Sequence, residues 1–441
     1  MFANLAPLLL ALAPAPQQRP ELPTILPMRE RAAVRDAWLA RRLETVAPEV
    51  MRRAGIDMWI LVAREYNEDP VVETMLPATW LAARRRTILV LHDPGEGKPL
   101  ETHAVARYAV GDVFPGAWVK EEEPDQWKRL ATLVAERDPQ RIGIDVSPTF
   151  ALADGLSTSE HDALRAALPE ELAGRLVGAQ DAAVGWLETR TAEELEVYPT
   201  IVRIAHSILA EGLSNRAVQP GITTTQDLQW WYRERIRELR LTTWFHPSVS
   251  VQRNEGQSHT GSFADESGVD VIRRGDLVHV DLGIDYLGLK TDTQQHAYVL
   301  RAGEDDAPEG LRRGLAAGNR QQDILMEEYR TGRTGNEILA SALERGQAEG
   351  LRPTIYSHPL GLHGHGAGPT IGLWDQQGGV PGRGDYPLHA GTCYAIELSV
   401  AVDVPEWGGQ EVLIMLEEDA VFDGERCAFL DGRQAELFLI R

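Results

Sequence analysis

Four carboxylates stand inside apolar, strand-like segments, where an unpaired charge is unfavourable. Asp281 and Asp292 lie within Gly275–Leu300, and Glu397 and Glu418 lie in a later pair of apolar segments. Asp is disfavoured in strands, and a lone buried carboxylate is strongly destabilising unless it is paired or bound. These residues must share protons, pair with cations or hold metal ions.

The first two carboxylates are predicted to face each other across a hairpin. Apolar residues alternate through residues 277–284, a turn signal follows at 285–288, and a second strand comes next. A turn centred between Tyr286 and Leu287 sets Asp281 opposite Asp292. Opposed side chains on one face have Cβ atoms about 4.5–5.5 Å apart. Two carboxylates at that separation repel each other unless a proton or a cation lies between them.

The second pair repeats this arrangement. Two apolar segments flank the turn-forming residues 405–409. A turn centred between Trp407 and Gly408 sets Glu397 opposite Glu418. Two facing carboxylate pairs and one histidine would make five ligands, a set that suits two divalent ions able to activate water.

A glycine-rich segment, Gly361–Gly372, offers the histidine. Its glycines allow backbone and side chains to approach a crowded centre. His363 and His365 lie within this segment and His358 precedes it, so three histidines compete for the ligand position. The segment lacks the Lys and Ser/Thr pair of a phosphate-binding loop, which argues against nucleotide binding there.

In this order and context the residues resemble metallopeptidase family M24, which includes methionine aminopeptidase, Xaa-Pro aminopeptidase and prolidase. The resemblance extends over about residues 190–422 and, more weakly, over the first half of the chain. It rests on the eleven-residue step between the two Asp residues and on three short motifs: Gly364-His365-Gly366, Ala395-Ile396-Glu397 and Glu418-Asp419-Ala420-Val421. The ligands that it implies are Asp281, Asp292, His365, Glu397 and Glu418.

The resemblance also implies a fold and an activity. The fold is α/β, with a pita-bread catalytic domain after a smaller α/β domain of the creatinase type. The activity is that of a dinuclear metallo-aminopeptidase or dipeptidase on short peptides, Xaa-Pro bonds among them, using water activated by two divalent ions. Mn²⁺, Co²⁺, Zn²⁺ and Fe²⁺ all suit this ligand set. Family members of this branch lead us to expect a homodimer.

Three residues are candidates for the chemical steps. Glu397 is expected to move the proton of the attacking water, as the resemblance implies. His259 stands upstream of the first Asp, where M24 peptidases keep a substrate-binding histidine, and His246 is the competing choice. His363 is either an acid or electrophile that touches the substrate carbonyl, or a supporting, solvated histidine.

Two positions depart from the Xaa-Pro branch. Its members usually carry a His seven residues after the ligand His and an Arg two residues before the last Glu. With His365 and Glu418 as ligands, these positions are Gly372 and Leu416. Two other functions therefore stay open: a non-peptidase amide or ester hydrolase on the same fold, and a catalytically silent metal-binding module.

Composition sets broader limits. A chain of 441 residues has room for two domains, and 43% hydrophobic with 25% charged residues is ordinary for a globular protein. The net charge of −22 excludes a typical nucleic-acid binder, which needs a basic surface.

No apolar run is long enough to span a bilayer. The two cysteines, Cys393 and Cys427, define no disulfide framework.

The first residues resemble a secretory signal peptide. Residues 1–19 contain a short apolar run and small residues at Ala13 and Ala15, although a basic start is missing. This pattern predicts export to the periplasm or the extracellular space. The alternative is an unstructured tail on a cytoplasmic protein.

The remaining chain divides into two predicted domains, residues 28–187 and 188–441. The first alternates strands and helices, as α/β domains do. Its predicted strands and helices are Met28–Ala54 (helix), Ile56–Val62, Thr87–Leu91, His103–Val110, Gln126–Arg137 (helix), Arg141–Val146 and Ser159–Ala167 (helix). In the second, a capping box at Thr191 opens a helix to about Asn215 that Pro199 interrupts or kinks, and Thr225 caps the next helix. Two further helices, Leu311–Arg330 and Thr334–Glu349, separate the acidic hairpins.

Overall fold

A computed structural model describes residues 22–95, 97–254 and 269–441. The segment 1–19, predicted to be a signal peptide, and His259 lie outside these residues. Within the described ranges, every helix is too short or too polar to cross a membrane.

The N-terminal domain is a five-stranded mixed sheet flanked by helices. Its helices are α1 (Met28–Arg53), α2 (Pro70–Met75), α3 (Gln126–Arg137), α4 (Thr158–Ala167), α5 (Glu170–Ala173) and α6 (Gln180–Glu188). Its strands are β1 (Met58–Arg64), β2 (Arg86–His92), β3 (Glu101–Val105), β4 (Ile142–Ile144) and β5 (Leu176–Gly178). The order in the sheet is β3-β2-β1-β4-β5. The predicted alternation of strands and helices is confirmed, although β3 ends five residues before its predicted end.

The central strand β1 is a continuous apolar run because both of its faces are buried. Trp59 and Leu61 face a core shared with α1 and α6, whereas Met58 and Ile60 face a second core on the other side of the sheet. A strand covered on both faces has no polar side, so its hydrophobicity does not alternate.

The C-terminal domain combines four helices with the two acidic hairpins. The helices are α7 (Ala192–Gly212), α8 (Thr225–Glu238), α9 (Glu309–Glu327) and α10 (Gly335–Ala348). The strands are β6 (Ser248–Gln252), β7 (Leu277–Leu282), β8 (Asp285–Tyr286), β9 (Leu289–Lys290), β10 (Thr293–Val299), β11 (Pro353–Ile355), β12 (His358–Leu360), β13 (Thr392–Ala395), β14 (Leu398–Val404), β15 (Gln410–Leu416), β16 (Asp419–Phe422), β17 (Cys427–Phe429) and β18 (Phe438–Ile440). Sheets β18-β10-β7-β6, β11-β14-β15 and β12-β13-β16-β17 carry the hairpins.

Two helix predictions need small corrections. The capping box at Thr191 is confirmed, but α7 continues through Pro199 without interruption. The next helix is capped by Thr224 rather than Thr225: its hydroxyl accepts from the Asp227 N–H, and the Asp227 carboxylate accepts from the Thr224 N–H. This reciprocal pair satisfies two donors that the first turn would leave free.

The first hairpin has a different register from the predicted one. Its turn residues are Leu287 and Gly288, both in the left-handed region with φ of 59° and 85°, which is the pattern of a tight hairpin turn. Asp281 therefore lies opposite Gln294, not opposite Asp292. A shift of two residues keeps a side chain on the same face. Asp292 thus remains a diagonal neighbour of Asp281.

The second hairpin differs by one residue, which has a larger consequence. Leu398 pairs with Leu416, and Ala395 pairs with Asp419. The constant offset sets Glu397 opposite Glu417, not opposite Glu418. A slip of one residue moves every side chain to the other face, so Glu417 and Glu418 exchange their predicted places.

The two domains share a core. Ala367 and Tyr386 of the C-terminal domain pack among the residues of α1 and α6. A buried ion pair between Arg42 and Glu194, 3.0 Å apart, also joins α1 to α7. These contacts fix the sheet of the first domain beside the hairpins of the second.

Candidate metal centre

Asp281 and Asp292 meet at the end of the first hairpin, where β7 stops and β10 begins. Both are buried, with 9% and 3% of their surface exposed. Burial and the nearby charges of Asp292 and Glu397 raise the pKa of Asp281. The backbone N–H of Asp292 donates to Asp419 Oδ1 at 3.1 Å, which fixes its main chain. One oxygen of each carboxylate, Oδ1, has no hydrogen-bond partner among the described residues.

Glu397 lies in the short gap between β13 and β14, and Glu417 lies in the matching gap between β15 and β16. Their neighbour Gln294 bridges them: its Nε2 donates to Glu397 Oε1 at 2.6 Å and to Glu417 Oε2 at 2.9 Å. Burial raises the pKa of Glu397 to about 8, against the lowering effect of His358. Burial and the neighbouring carboxylates raise the pKa of Glu417 as well.

His358, the first residue of β12, completes the interior of the group. Its Nε2 lies 3.5 Å from both Asp292 Oδ2 and Glu417 Oε1. Its Nδ1 lies 3.1 Å from the carbonyl oxygen of Pro359. In the neutral ring, Nδ1 donates to that carbonyl and Nε2 keeps a lone pair directed at the carboxylates.

His365, the predicted ligand, lies at the solvent-exposed mouth of the group. Its ring meets that of His358 edge-on, with centroids 4.7 Å apart. Trp244 and Tyr356 flank it at 5.1 and 6.2 Å between centroids. The glycine before it is needed for this close approach, because a Cβ at Gly364 would lie 2.3 Å from the indole of Trp244.

The six residues form three overlapping groups of potential ligands. The groups are Asp292–His358–His365, His358–Glu397–Glu417 and Asp281–Asp292–Glu417, and the ligand atoms within each lie within 4.8 Å of one another. Atoms without hydrogen-bond partners among the described residues are Asp281 Oδ1, Asp292 Oδ1, His358 Nε2 and Glu417 Oε1. Four buried carboxylates, three of which have an oxygen without a partner among the described residues, and one free imidazole nitrogen form a donor set that suits oxygen-preferring divalent cations. The residues therefore fit a metal centre.

Glu418, the other predicted ligand, points to the opposite side of the strand. Its carboxylate accepts from Gln295 Nε2 and from the backbone N–H of Gln434, both at 3.0 Å, and lies 2.6 Å from His206 Nε2. Burial opposes a charge on His206, but Glu418 and Asp431 raise its pKa to about 10. Glu418 is thus satisfied by a separate ion pair and belongs to none of the three ligand groups.

The predicted catalytic histidines do not join the cluster in the described part of the chain. His363 belongs to none of the three ligand groups, and burial with the charges of Lys290 and Arg190 lowers its pKa to about 4. His259 lies outside the described residues. His246, the competing choice, stacks with Trp230 at 5.1 Å between ring centroids.

One spacing in the sequence could have identified His358. His365 follows it by seven residues, which is the spacing that the Xaa-Pro branch shows after its ligand histidine. If His365 is taken as the ligand instead, the residue seven positions later is Gly372. With Glu417 in the cluster, the position two residues earlier is Met415, so the usual Arg is absent there too. Gln294 gave no signal, because an amide in a strand has many ordinary roles.

Comparisons with known proteins agree with this architecture. The X-Pro aminopeptidase of Thermotoga maritima MSB8 superposes with a TM-score of 0.61 at 18% identity, covering 89% of this chain and 99% of that one. The Xaa-Pro dipeptidase of Bacillus anthracis gives 0.57 at 17% identity, covering 94% and 100%. A dipeptidase of Pyrococcus horikoshii OT3 gives 0.58 at 19% identity, covering 91% and 100%. At these identities the likeness shows the fold, which is the predicted pita-bread domain behind a smaller α/β domain.

The sequence itself carries the family assignment. A search of curated proteins gives no significant match. The model of metallopeptidase family M24, in contrast, matches residues 200–421, half of the chain and the whole of both acidic hairpins. The chain belongs to metallopeptidase family M24.

Proposed function

We propose that this protein hydrolyses peptide bonds in short peptides at a centre of two divalent metal ions. The observation that carries the proposal is the buried set of ligand atoms that have no hydrogen-bond partner in the described part of the chain. The proposed ligands are Asp281, Asp292, His358, Glu397 and Glu417. This set keeps three members of the sequence-based prediction and replaces His365 and Glu418 by His358 and Glu417.

Two ions are favoured over one because the ligand groups overlap. Asp292 and Glu417 belong to two groups each, and so does His358. Carboxylates with two oxygens can bridge neighbouring ions, whereas a single ion would leave part of this negative charge unbalanced. Bound divalent ions would lower the pKa of water and polarise a carbonyl group. Mn²⁺, Co²⁺, Zn²⁺ and Fe²⁺ remain the candidates.

Glu397 is the proposed proton carrier. Burial raises the pKa of Glu397, so its carboxylate is more basic than a solvent-exposed one and a better proton acceptor. Gln294 holds one of its oxygens by a 2.6 Å hydrogen bond, so the side chain has a fixed orientation. Glu397 would accept the proton of the attacking water and pass it to the departing amine.

The mouth residues favour a substrate with a compact apolar group. His365, Trp244 and Tyr356 line the entrance with ring faces and edges. The names of two similar structures specify Xaa-Pro substrates, and a proline ring packs well on aromatic side chains. Cleavage of Xaa-Pro peptides is therefore the proposed specificity, with His365 at the substrate.

A peptide panel tests this function. Metal-stripped protein is reloaded with each of the four ions and incubated with Xaa-Pro dipeptides, Xaa-Pro-Yaa tripeptides and matched peptides without proline. Metal-dependent cleavage should fall at least a hundredfold in Asp281→Asn. It should persist in Asp285→Asn, which changes a carboxylate on the same hairpin that pairs with Lys290 outside the cluster.

Two results would contradict the proposal. Cleavage that survives Asp281→Asn or chelation would exclude the metal centre as the catalyst. Metal-loaded protein that cleaves esters or lactones but none of the peptides would indicate the non-peptidase hydrolase instead.

A further inference from the structure

The N-terminal domain contains a cavity lined mainly by positive charge, although the whole chain has a net charge of −22. It has a volume of about 730 Å³ and lies where β1 ends and β2 begins. Five arginines line it, in a protein with 44 basic and 66 acidic residues. We call it the arginine pocket and define it by Arg64, Arg84, Arg85, Arg86, Arg107 and Tyr108. It shares no residue with the metal centre.

Two of these arginines are fixed by a buried carboxylate. Arg86 donates to both oxygens of Glu160 at 2.6 and 3.1 Å, and Arg64 lies 3.4 Å from the same carboxylate. The Glu160 side chain is only 5% exposed. One carboxylate thus holds two guanidinium groups and balances only one of their charges.

The other three arginines have no carboxylate partner among the described residues. Arg84 lies over the ring of Trp80 at 4.4 Å and faces Tyr108 at 5.9 Å. Stacking fixes a guanidinium group without neutralising it. Glu65, the acidic residue in the lining, accepts the backbone N–H of Arg85 at 3.3 Å. The pocket therefore keeps a net positive charge that a bound anion would compensate.

The rim of the pocket is built on unfavourable backbone conformations. Arg85 and Tyr66 both have positive φ, 54° and 67°, which residues with a Cβ rarely adopt. A 2.6 Å hydrogen bond from the Glu65 N–H to the Arg85 carbonyl holds the two loops together. Such strain persists where the surrounding structure enforces it, frequently at binding sites.

We propose that the arginine pocket binds a small organic anion with two or more negative charges on oxygen, a phosphate ester or a polycarboxylate. Planar guanidinium groups match the oxygen geometry of both groups. The volume lies in the range of small-molecule sites, and Tyr108 and Trp118 supply an apolar wall. A nucleic acid is disfavoured because the positive surface is one pocket in a chain of net charge −22.

Titration calorimetry on the full chain tests the proposal with two probes, inorganic phosphate and citrate. Sodium chloride at matched ionic strength controls for screening. The test variant is Arg84→Gln/Arg107→Gln, which changes two exposed side chains and leaves the Glu160 pair intact. The control variant is Arg313→Gln, an exposed arginine on α9. Unliganded melting temperatures of the variants establish that each one folds.

We expect wild type and Arg313→Gln to bind at least one probe, and the double variant to bind it at least tenfold more weakly. Preference for phosphate would indicate a phosphate ester, and preference for citrate a polycarboxylate. Equal binding by the double variant, or no binding of either anion to wild type, would overturn the proposal. A dimer that dissociates in the double variant, without anion binding, would overturn it in favour of a contact between two copies of the chain.

Discussion

His358 Nε2 lies 3.5 Å from Glu417 Oε1, in the interior of the acidic cluster. His358 opens the short strand β12, and Glu417 stands at the break between β15 and β16. Both atoms are buried and have no hydrogen-bond partner among the described residues. A nitrogen and an oxygen that face each other at this distance without a hydrogen bond are free to bind the same cation, as proposed for the metal centre.

The first prediction separates the two histidines of the cluster. His358→Asn should weaken Mn²⁺ binding by about 10–100-fold or more, because an interior ligand atom is lost. His365→Asn should bind Mn²⁺ within a few-fold of wild type and lose peptide cleavage instead. Calorimetry on metal-stripped protein measures the affinities, with His363→Asn as the control. Stronger loss of binding in His365→Asn than in His358→Asn would restore His365 as the ligand.

The second prediction concerns the amide that links the two Glu ligands. Gln294→Met keeps the side-chain volume but removes the donor to Glu397 and Glu417, so both carboxylates lose their orientation. Outer partners of this kind typically contribute 10–100-fold to metal affinity, and we expect a loss in that range.

Gln295→Met is the matched control for this change. Gln295 is the next residue of β10 and is equally buried, but its amide donates to Glu418 at 3.0 Å. It should lower stability by about 1 kcal/mol through the one hydrogen bond that the Glu418 carboxylate loses and leave metal affinity unchanged. Equal effects of both variants on affinity would show that Gln294 has no special role.

A third prediction uses a pair of acids buried inside the N-terminal domain. Asp69 and Asp145 are both buried and interact electrostatically, and Trp59 Nε1 donates to Asp145 Oδ1 at 2.7 Å. Burial raises the pKa of Asp69 to about 6 and raises the pKa of Asp145 as well. The folded protein therefore binds more protons than the unfolded chain between pH 4 and pH 6, so this pair lowers stability as pH rises.

Asp145→Asn removes one titrating group while keeping an acceptor for Trp59 Nε1. The variant should match wild type near pH 4 and exceed it at pH 8 by on the order of 1–3 kcal/mol. Urea unfolding at the two pH values measures the difference, with the exposed Asp112→Asn as the control. A variant that is less stable than wild type at pH 8 would contradict this account, because it would mean that the ionised Asp145 stabilises the fold.

The elements of the fold were largely predictable from the sequence. α3 follows the predicted range at both ends, and β1 was recognisable as an apolar run. The start of α7 was recognisable because Thr191 is followed three residues later by Glu194, which is the sequence signature of a capping box. The division at residues 187 and 188 stays a prediction.

Hairpin register was not predictable, and the site depends on it. Leu287 adopts positive φ, a conformation that leucine disfavours, so nothing in its residue type placed the turn there. In the second hairpin, the strand pairing is symmetric about Trp407, whereas the predicted turn was centred between Trp407 and Gly408. That difference is enough to exchange Glu418 for Glu417, because side chains alternate faces along a strand.

The most direct measurement compares Glu417→Gln with Glu418→Gln for metal content and Mn²⁺ affinity. The two substitutions are chemically identical and lie at adjacent residues between β15 and β16, whose carboxylates have different partners. We predict that Glu417→Gln loses at least one bound ion per chain. Glu418→Gln should keep both ions and only lose stability through its broken pair with His206. Loss of an ion in Glu418→Gln, with full metal content in Glu417→Gln, would contradict the register and the metal centre built on it.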